Sequence, residues 1–115
     1  MSKTANRVLS GVALAALAAG CVAAVVRYRQ GQKPDPDERA GLDELALRLT
    51  DADGGAATGP EGRMFQSLQR TYGITAVRLR AWIVGLREGA LSAEQATVAE
   101  SEFGILERQA DQGDV

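Results

Sequence analysis

The chain has few side chains that could carry acid–base, nucleophilic or metal chemistry. Its 115 residues include no histidine, which is the commonest general base and the commonest metal ligand. Cys21 is the only cysteine, so a disulfide within the chain and a cysteine-based structural zinc site are excluded. Glu100 and Glu102 are neighbouring carboxylates, but side chains two residues apart on a helix point to different faces. We therefore predict that the protein is not an enzyme and has no cofactor or metal site.

One acidic stretch resembles the start of an EF-hand calcium loop. Asp51 and Asp53 stand two residues apart and are followed by Gly54. An EF-hand loop needs a ligand at its fifth position and a glutamate at its twelfth, and here those positions hold Gly55 and Gly62. We interpret the stretch as a glycine-rich linker.

Arginine is the residue type with the clearest potential for binding. Residues 61–87 carry five arginines against the single acid Glu61. The predicted contacts with a partner protein or a nucleic acid are Arg70, Arg78, Arg80, Arg87 and Trp82. Acidic segments on both sides would repel DNA or pair with these arginines inside the fold.

The segments 60–72 and 75–88 carry a pattern of apolar residues around a glycine. The residues in this pattern are Leu68, Tyr72, Gly73, Ile74, Leu79 and Trp82, with Thr75 at the start of the second segment. The pattern resembles a helix-turn-helix unit. The resemblance implies that 75–88 is a recognition helix, with Arg78 and Arg80 near bases or phosphates. Gln69 departs from the family, which prefers a small residue at that position.

The stretch 86–94 contains a second short pattern. Gly89 and Leu91 precede Ser92 and Glu94. This order resembles the short helical hairpin of the SHOCT type, and the resemblance implies association rather than chemistry. The aromatic residue expected soon after the glutamate is missing, since Ala96 follows Gln95.

Charge alternates in four blocks along the chain. Residues 1–33 carry five basic residues and no acid, and residues 34–60 carry seven acids against two arginines. Residues 61–87 are again basic, and residues 88–115 carry seven acids against Arg108. The first block suits anionic lipid head groups. The later alternation favours helices that neutralise one another when they fold together.

An uninterrupted apolar run, residues 8–26, dominates the amino-terminal part of the chain. A helix of this length spans the roughly 30 Å hydrocarbon core of a bilayer. We therefore predict an uncleaved single-pass membrane helix within residues 1–33. Basic residues just after the run favour a cytoplasmic C-terminal domain. The alternatives are a signal peptide, in which residues 17–21 resemble a lipoprotein lipobox, and a buried helix of a soluble domain.

Small residues recur at every fourth position of this run. One stripe consists of Ala16, Gly20 and Ala24, and the other of Gly11, Ala15, Ala19 and Ala23. Such stripes let two helix backbones approach closely in lipid. They predict that the membrane helix packs against another membrane protein or a second copy of itself.

Residues 34–115 are predicted to form a small helical domain. Its amphipathic helices cover about 36–50, 60–72, 75–88 and 92–109. Their boundaries are marked by capping residues, which are Asp35, Pro36, Ser92 and Gln95 at helix starts and Gly73 and Gly89 at helix ends. The broad apolar face of 75–88 predicts the central helix of a bundle. Phe65, Tyr72 and Trp82 are predicted core residues.

The predicted fold is all-α, with one N-terminal transmembrane helix followed by a small three- to four-helix bundle. The predicted function is that of an accessory or scaffolding subunit acting through protein–protein interaction. Its predicted partners are the lipid bilayer and another membrane protein or the chain itself. The alternative is a membrane-tethered helix-turn-helix module that binds DNA through residues 63–88.

Overall fold

The structure is a computed structural model that describes residues 10–53 and 59–113. Within these residues there are five helices and no strand: α1 Ser10–Arg29, α2 Pro36–Asp53, α3 Gly59–Tyr72, α4 Ala76–Glu88 and α5 Ala93–Gly113. The all-α prediction is confirmed. Helices α2 to α5 begin and end within four residues of the predicted bounds.

Helix starts are capped by the side chains that the sequence marks. The amide of Glu38 donates to Asp35 Oδ1 at 2.8 Å, and the amide of Asp35 donates to Glu38 Oε1 at 3.2 Å. Ser92 and Gln95 exchange the same two hydrogen bonds at the start of α5, and Thr75 caps α4. These bonds satisfy amides that would otherwise lack a partner within the helix, so they fix where α2, α4 and α5 begin.

The antiparallel pair of α1 and α5 forms the centre of the bundle. Their contact is the most extensive between two helices in the described ranges. Arg29 at the end of α1 pairs with Glu100 at 2.7 Å, whereas Val22, earlier in α1, lines a cleft with Arg108. The buried stripe of α5 consists of Ala96, Ala99, Phe103, Leu106 and Ala110. Alanines at these positions let the two backbones come close together.

The other helices are arranged around this pair. α2 packs on α1 and on α4, and α3 packs mainly on α5. The buried residues of α2 are Leu42, Leu45 and Leu49, and those of α4 include Leu79, Ile83 and Leu86. The prediction that 75–88 is the central helix is wrong, because α4 lies at the periphery with Val77 and Val84 exposed.

The prediction of a single-pass membrane helix is also wrong. No helix in the part of the chain that the structure describes is long and apolar enough to cross a bilayer. One side of α1 is buried in the bundle instead, through Leu14, Ala18, Cys21, Ala24 and Val25. Arg27 and Arg29, interpreted as flanks facing lipid head groups, form ion pairs with carboxylates of the same chain. The prediction of a cytoplasmic C-terminal domain assumed this membrane helix, so it is wrong for the same reason.

The stripes of small residues on α1 divide between the core and the surface. Ala24 is buried and Ala15 and Ala19 are half-buried, whereas Ala16, Gly20 and Ala23 are exposed. Gly11 lies in the first turn of α1. An exposed alanine or glycine costs little in water, so the bundle need not enclose α1 on every side.

The connection between α4 and α5 joins three helices. Gly89 adopts a left-handed conformation with φ 67°, and the amide of Ala90 donates to the carbonyl of Gly85 at 2.9 Å. The side chain of Leu91 lies over Gly85, where a Cβ atom would overlap with it. The hydroxyl of Tyr28 on α1 donates to the carbonyl of Leu91 at 2.6 Å. The stretch 86–94, which resembles a SHOCT hairpin, therefore joins α4 to α5 and contacts α1 through Tyr28.

Candidate functional site

The arginines predicted to bind a partner are distributed over α3 and α4. On α4, Arg78 pairs with Glu102, Arg80 lies 3.6 Å from Asp53, and Arg87 lies 3.2 Å from Asp43. Arg80 also donates to the hydroxyl of Thr50 at 3.3 Å. Arg70 on α3 forms no hydrogen bond or ion pair with the described residues. Arginines of one charge block therefore pair with carboxylates of another across the helix contacts. Of the four arginines predicted to bind a partner, the three on α4 are paired in this way.

Glu102 is the one buried charged residue in the described ranges, with 6 % of its surface exposed. Its Oε1 accepts from the indole Nε1 of Trp82 at 2.7 Å and from Nε of Arg78 at 3.1 Å. A second nitrogen of Arg78 binds Oε2. The carboxylate is therefore held by three donors from α4. Glu100, two residues earlier, faces α1 and pairs with Arg29, as the helix geometry predicts.

The contact between Glu102 and Trp82 gives a stability prediction. We expect Glu102→Ala to lower the free energy of unfolding by about 2–3 kcal/mol, because the indole N–H loses its acceptor. Glu102→Gln keeps an acceptor for the indole and should cost about half as much. Arg78 is half-exposed, so water screens the loss of its charge partner and limits both values. Denaturant midpoints measured by circular dichroism check these expectations.

Glu100→Gln is the matched control for this prediction. It removes a carboxylate of the same helix that pairs at the surface, and we expect a change below about 0.5 kcal/mol. Trp82 is the only tryptophan, so its fluorescence reports on the indole environment. A Glu102→Ala protein with unchanged stability and emission would show that the three-donor arrangement is absent in solution.

The outer side of α4 carries an apolar stripe in contact with solvent. Val77 is 49 % exposed and Val84 is 44 % exposed, and Ala81 between them is also exposed. These three residues follow the i, i+4, i+7 spacing of one helix face. We call them the α4 outer face. They belong to the broad apolar face from which 75–88 was predicted to be the central helix.

The three aromatic residues predicted for the core occupy different environments. Phe65 is 7 % exposed and packs in the core, as predicted. Tyr72 is 47 % exposed, and its hydroxyl lies 3.4 Å from the side-chain nitrogen Nε2 of Gln109. Trp82 is half-buried.

The helix-turn-helix resemblance holds in the turn but not in the packing. Gly73 has φ 69°, and its amide donates to the carbonyl of Gln69 at 3.0 Å, which ends α3. Ile74 is buried, as the resemblance implies. However, α3 packs mainly on α5 rather than on α4, which follows it.

Cys21 lies in the core and is 1 % exposed. Burial raises the pKa of its thiol to about 12, so the thiol is protonated at neutral pH. In the lipobox interpretation, cleavage before this residue would also remove Leu14 and Ala18 from the core. No group of metal-ligating side chains occurs among the residues the structure describes.

A shallow cleft of about 540 Å³ lies between α1 and α5. Its lining includes Val22, Gly104 and Ser101, together with both cations and carboxylates: Arg29, Arg108, Glu100 and Glu107. Because Arg29 is already paired with Glu100, the cleft offers no excess of either charge.

Comparisons of the chain with protein-family models, curated proteins and solved structures find no match.

Proposed function

We propose that the helical bundle is an accessory or scaffolding subunit that binds another protein through the α4 outer face. The observation that carries this proposal is the exposure of Val77 and Val84 on the side of α4 opposite its buried residues. An apolar stripe in water at helical spacing is typical of a surface that a partner covers. We assign binding rather than catalysis to the chain.

The geometry favours an amphipathic helix of a second protein as the occupant. Ala81 lies between Val77 and Val84, so the stripe is lower at its centre than at its two ends. Side chains of an incoming helix can occupy such a depression, as ridges of one helix fit grooves of another. An occupant with an apolar stripe at the same spacing would bury both valines.

The arginines that border this face are already paired within the bundle. Arg80 and Arg87 border it on the side of α2, and each pairs with an aspartate of α2. Arg78 borders the opposite side and pairs with Glu102. These pairs leave no arginine of the rim for a polyanion, and Glu88, one turn after Val84, adds an exposed carboxylate that forms no ion pair with the described residues. An apolar stripe therefore suits the face better than a polyanion does.

The same pairing gives DNA binding less support. A recognition helix would present Arg78 and Arg80 to phosphates or bases, and both guanidinium groups have carboxylate partners within the bundle. Salt-sensitive binding of duplex DNA that is lost on Arg78→Ala with Arg80→Ala would favour that alternative over the proposed function.

Photo-crosslinking from the α4 outer face tests the proposal. A photoreactive amino acid is placed at Val84 in the full chain, in cells that produce the protein. We expect one discrete adduct with a different protein, and mass spectrometry should map the crosslink to an apolar helix stripe of that protein. Adding Val77→Arg should reduce the adduct about tenfold, because a charge in the apolar contact must be desolvated.

Ser101 is the control position, because it is exposed on α5 away from this face. Val77 is also exposed, so Val77→Arg should leave the fold intact, which circular dichroism checks. An equal yield from Ser101, no adduct from position 84, or an adduct only with a second copy of the chain would contradict the proposal.

A further inference from the structure

We propose that the chain associates with a second copy of itself through a contact between the outer sides of α2 and α3. The α2 side consists of Glu44, Leu47 and Asp51, and the α3 side consists of Arg63, Gln66, Ser67 and Arg70. This contact includes neither Val77 nor Val84, so the experiments that test it are independent of the binding proposed for the α4 outer face.

The outer side of α3 is basic and has no partner for its charges. Arg63, Gln66, Ser67 and Arg70 follow the i, i+3, i+4, i+7 spacing of one helix face, and all four are exposed. Neither arginine forms an ion pair or hydrogen bond with the described residues. The opposite side of α3 is buried through Phe65 and Leu68. These two arginines therefore differ from those of α4, which the fold neutralises.

The outer side of α2 carries two exposed carboxylates, with the half-buried Arg48 on the same side, and the most exposed large apolar residue in the described ranges. Leu47 is 64 % exposed and stands between Glu44 and Asp51 at helical spacing. Asp51 forms no ion pair with the described residues. The side chain of Glu44 lies 3.4 Å from Arg48 and is 51 % exposed.

The two sides match in charge and in spacing. Glu44 and Asp51 are seven residues apart, and so are Arg63 and Arg70. Seven residues of helix rise about 10.5 Å, so both arginines can meet both carboxylates in one helix–helix contact. Leu47 would then lie over Ser67 and the methylene groups of the arginines, which shield it from water. This complementarity identifies the occupant of the α3 side as the acidic side of another copy.

The acidic and basic sides lie on different helices, so each contact joins unlike surfaces of two chains. Two chains related by a twofold axis make the contact twice, and other arrangements continue into longer assemblies. Because the contact depends on exposed charges, its strength should fall as salt concentration rises.

Sedimentation velocity of the full chain at low and high salt tests this inference. We expect concentration-dependent association at low salt that weakens at high salt. Arg63→Glu with Arg70→Glu should weaken the association by about tenfold or more, because like charges then face each other. Glu44→Arg with Asp51→Arg should weaken it to a similar extent. An equimolar mixture of the two variants should associate again, because each carries the complement of the other.

Arg39→Glu with Arg108→Glu is the matched control, since it changes the net charge equally at exposed positions outside the contact. Circular dichroism confirms that each variant is folded. A chain that is monomeric at low salt, an equal effect of the control, or a mixture that stays monomeric would overturn the inference. A monomeric chain whose Arg63 and Arg70 bind a glutamate-rich peptide would also overturn it, and would assign the α3 side to an acidic segment of another protein.

Discussion

The substitution Ala18→Asp is expected to lower the free energy of unfolding by about 3–5 kcal/mol, because it places an unpaired charge in the core. Ala18 has no exposed surface and lies in the middle of α1. An aspartate at this position would have to be protonated or hydrated, and either outcome disrupts the contact between α1 and the rest of the bundle. Denaturant midpoints of the full chain measure this loss.

Ala16→Asp is the control for this substitution, because Ala16 is exposed on the same helix two residues earlier. It introduces the same side chain and a similar loss of helix propensity, which is below about 1 kcal/mol. A helix surrounded by lipid would bring both aspartates into hydrocarbon, so both substitutions would be severe. Equal losses at the two positions would contradict the packing of α1 in the bundle.

The bounds of α2 to α5 were predictable because local chemistry sets them. Asp35 and Ser92 cap their helices through hydrogen bonds that need only the next turn of the chain. Gly73 and Gly89 end helices because a positive φ is easy for glycine. The stripe that includes Phe103 was predictable for a similar reason, since its polar and apolar residues alternate with the helical period.

The environment of α1 could not be predicted in the same way. Alanine and glycine lie on every side of this helix, so the sequence shows almost no difference between its faces. Leu14, Cys21 and Val25 are buried, but Leu17 and Val22 pack only partly against the core and Val26 is exposed. The positions of α5 and α2 decide which side is covered. A run rich in small residues fits lipid and a helical bundle equally well by composition.

The charges of the candidate surfaces were partly predictable. The alternating blocks indicated that arginines and carboxylates would neutralise one another, and they do so between α4 and its neighbours. Which arginines remain unpaired depends on which side of each helix faces its neighbours in the fold. The sequence indicated Arg70 as one of four candidate arginines. Only the structure shows that Arg70 and Arg63 form no ion pair with the described residues, whereas the arginines of α4 are paired. The role of Glu102 as the acceptor for Trp82 likewise depends on the packing of α4 against α5.

The reactivity of Cys21 tests directly whether α1 belongs to the core of the bundle. Cys21 is 1 % exposed, and burial raises the pKa of its thiol to about 12. Thiol reagents attack the thiolate, so both enclosure and protonation slow the reaction. In buffer without detergent, modification should be about a thousandfold or more slower than in denaturant, since it requires the bundle to open. The Ala18→Asp protein should lose most of this protection and the Ala16→Asp protein should keep it. Modification of the folded chain at a rate within about tenfold of the rate in denaturant would contradict the account.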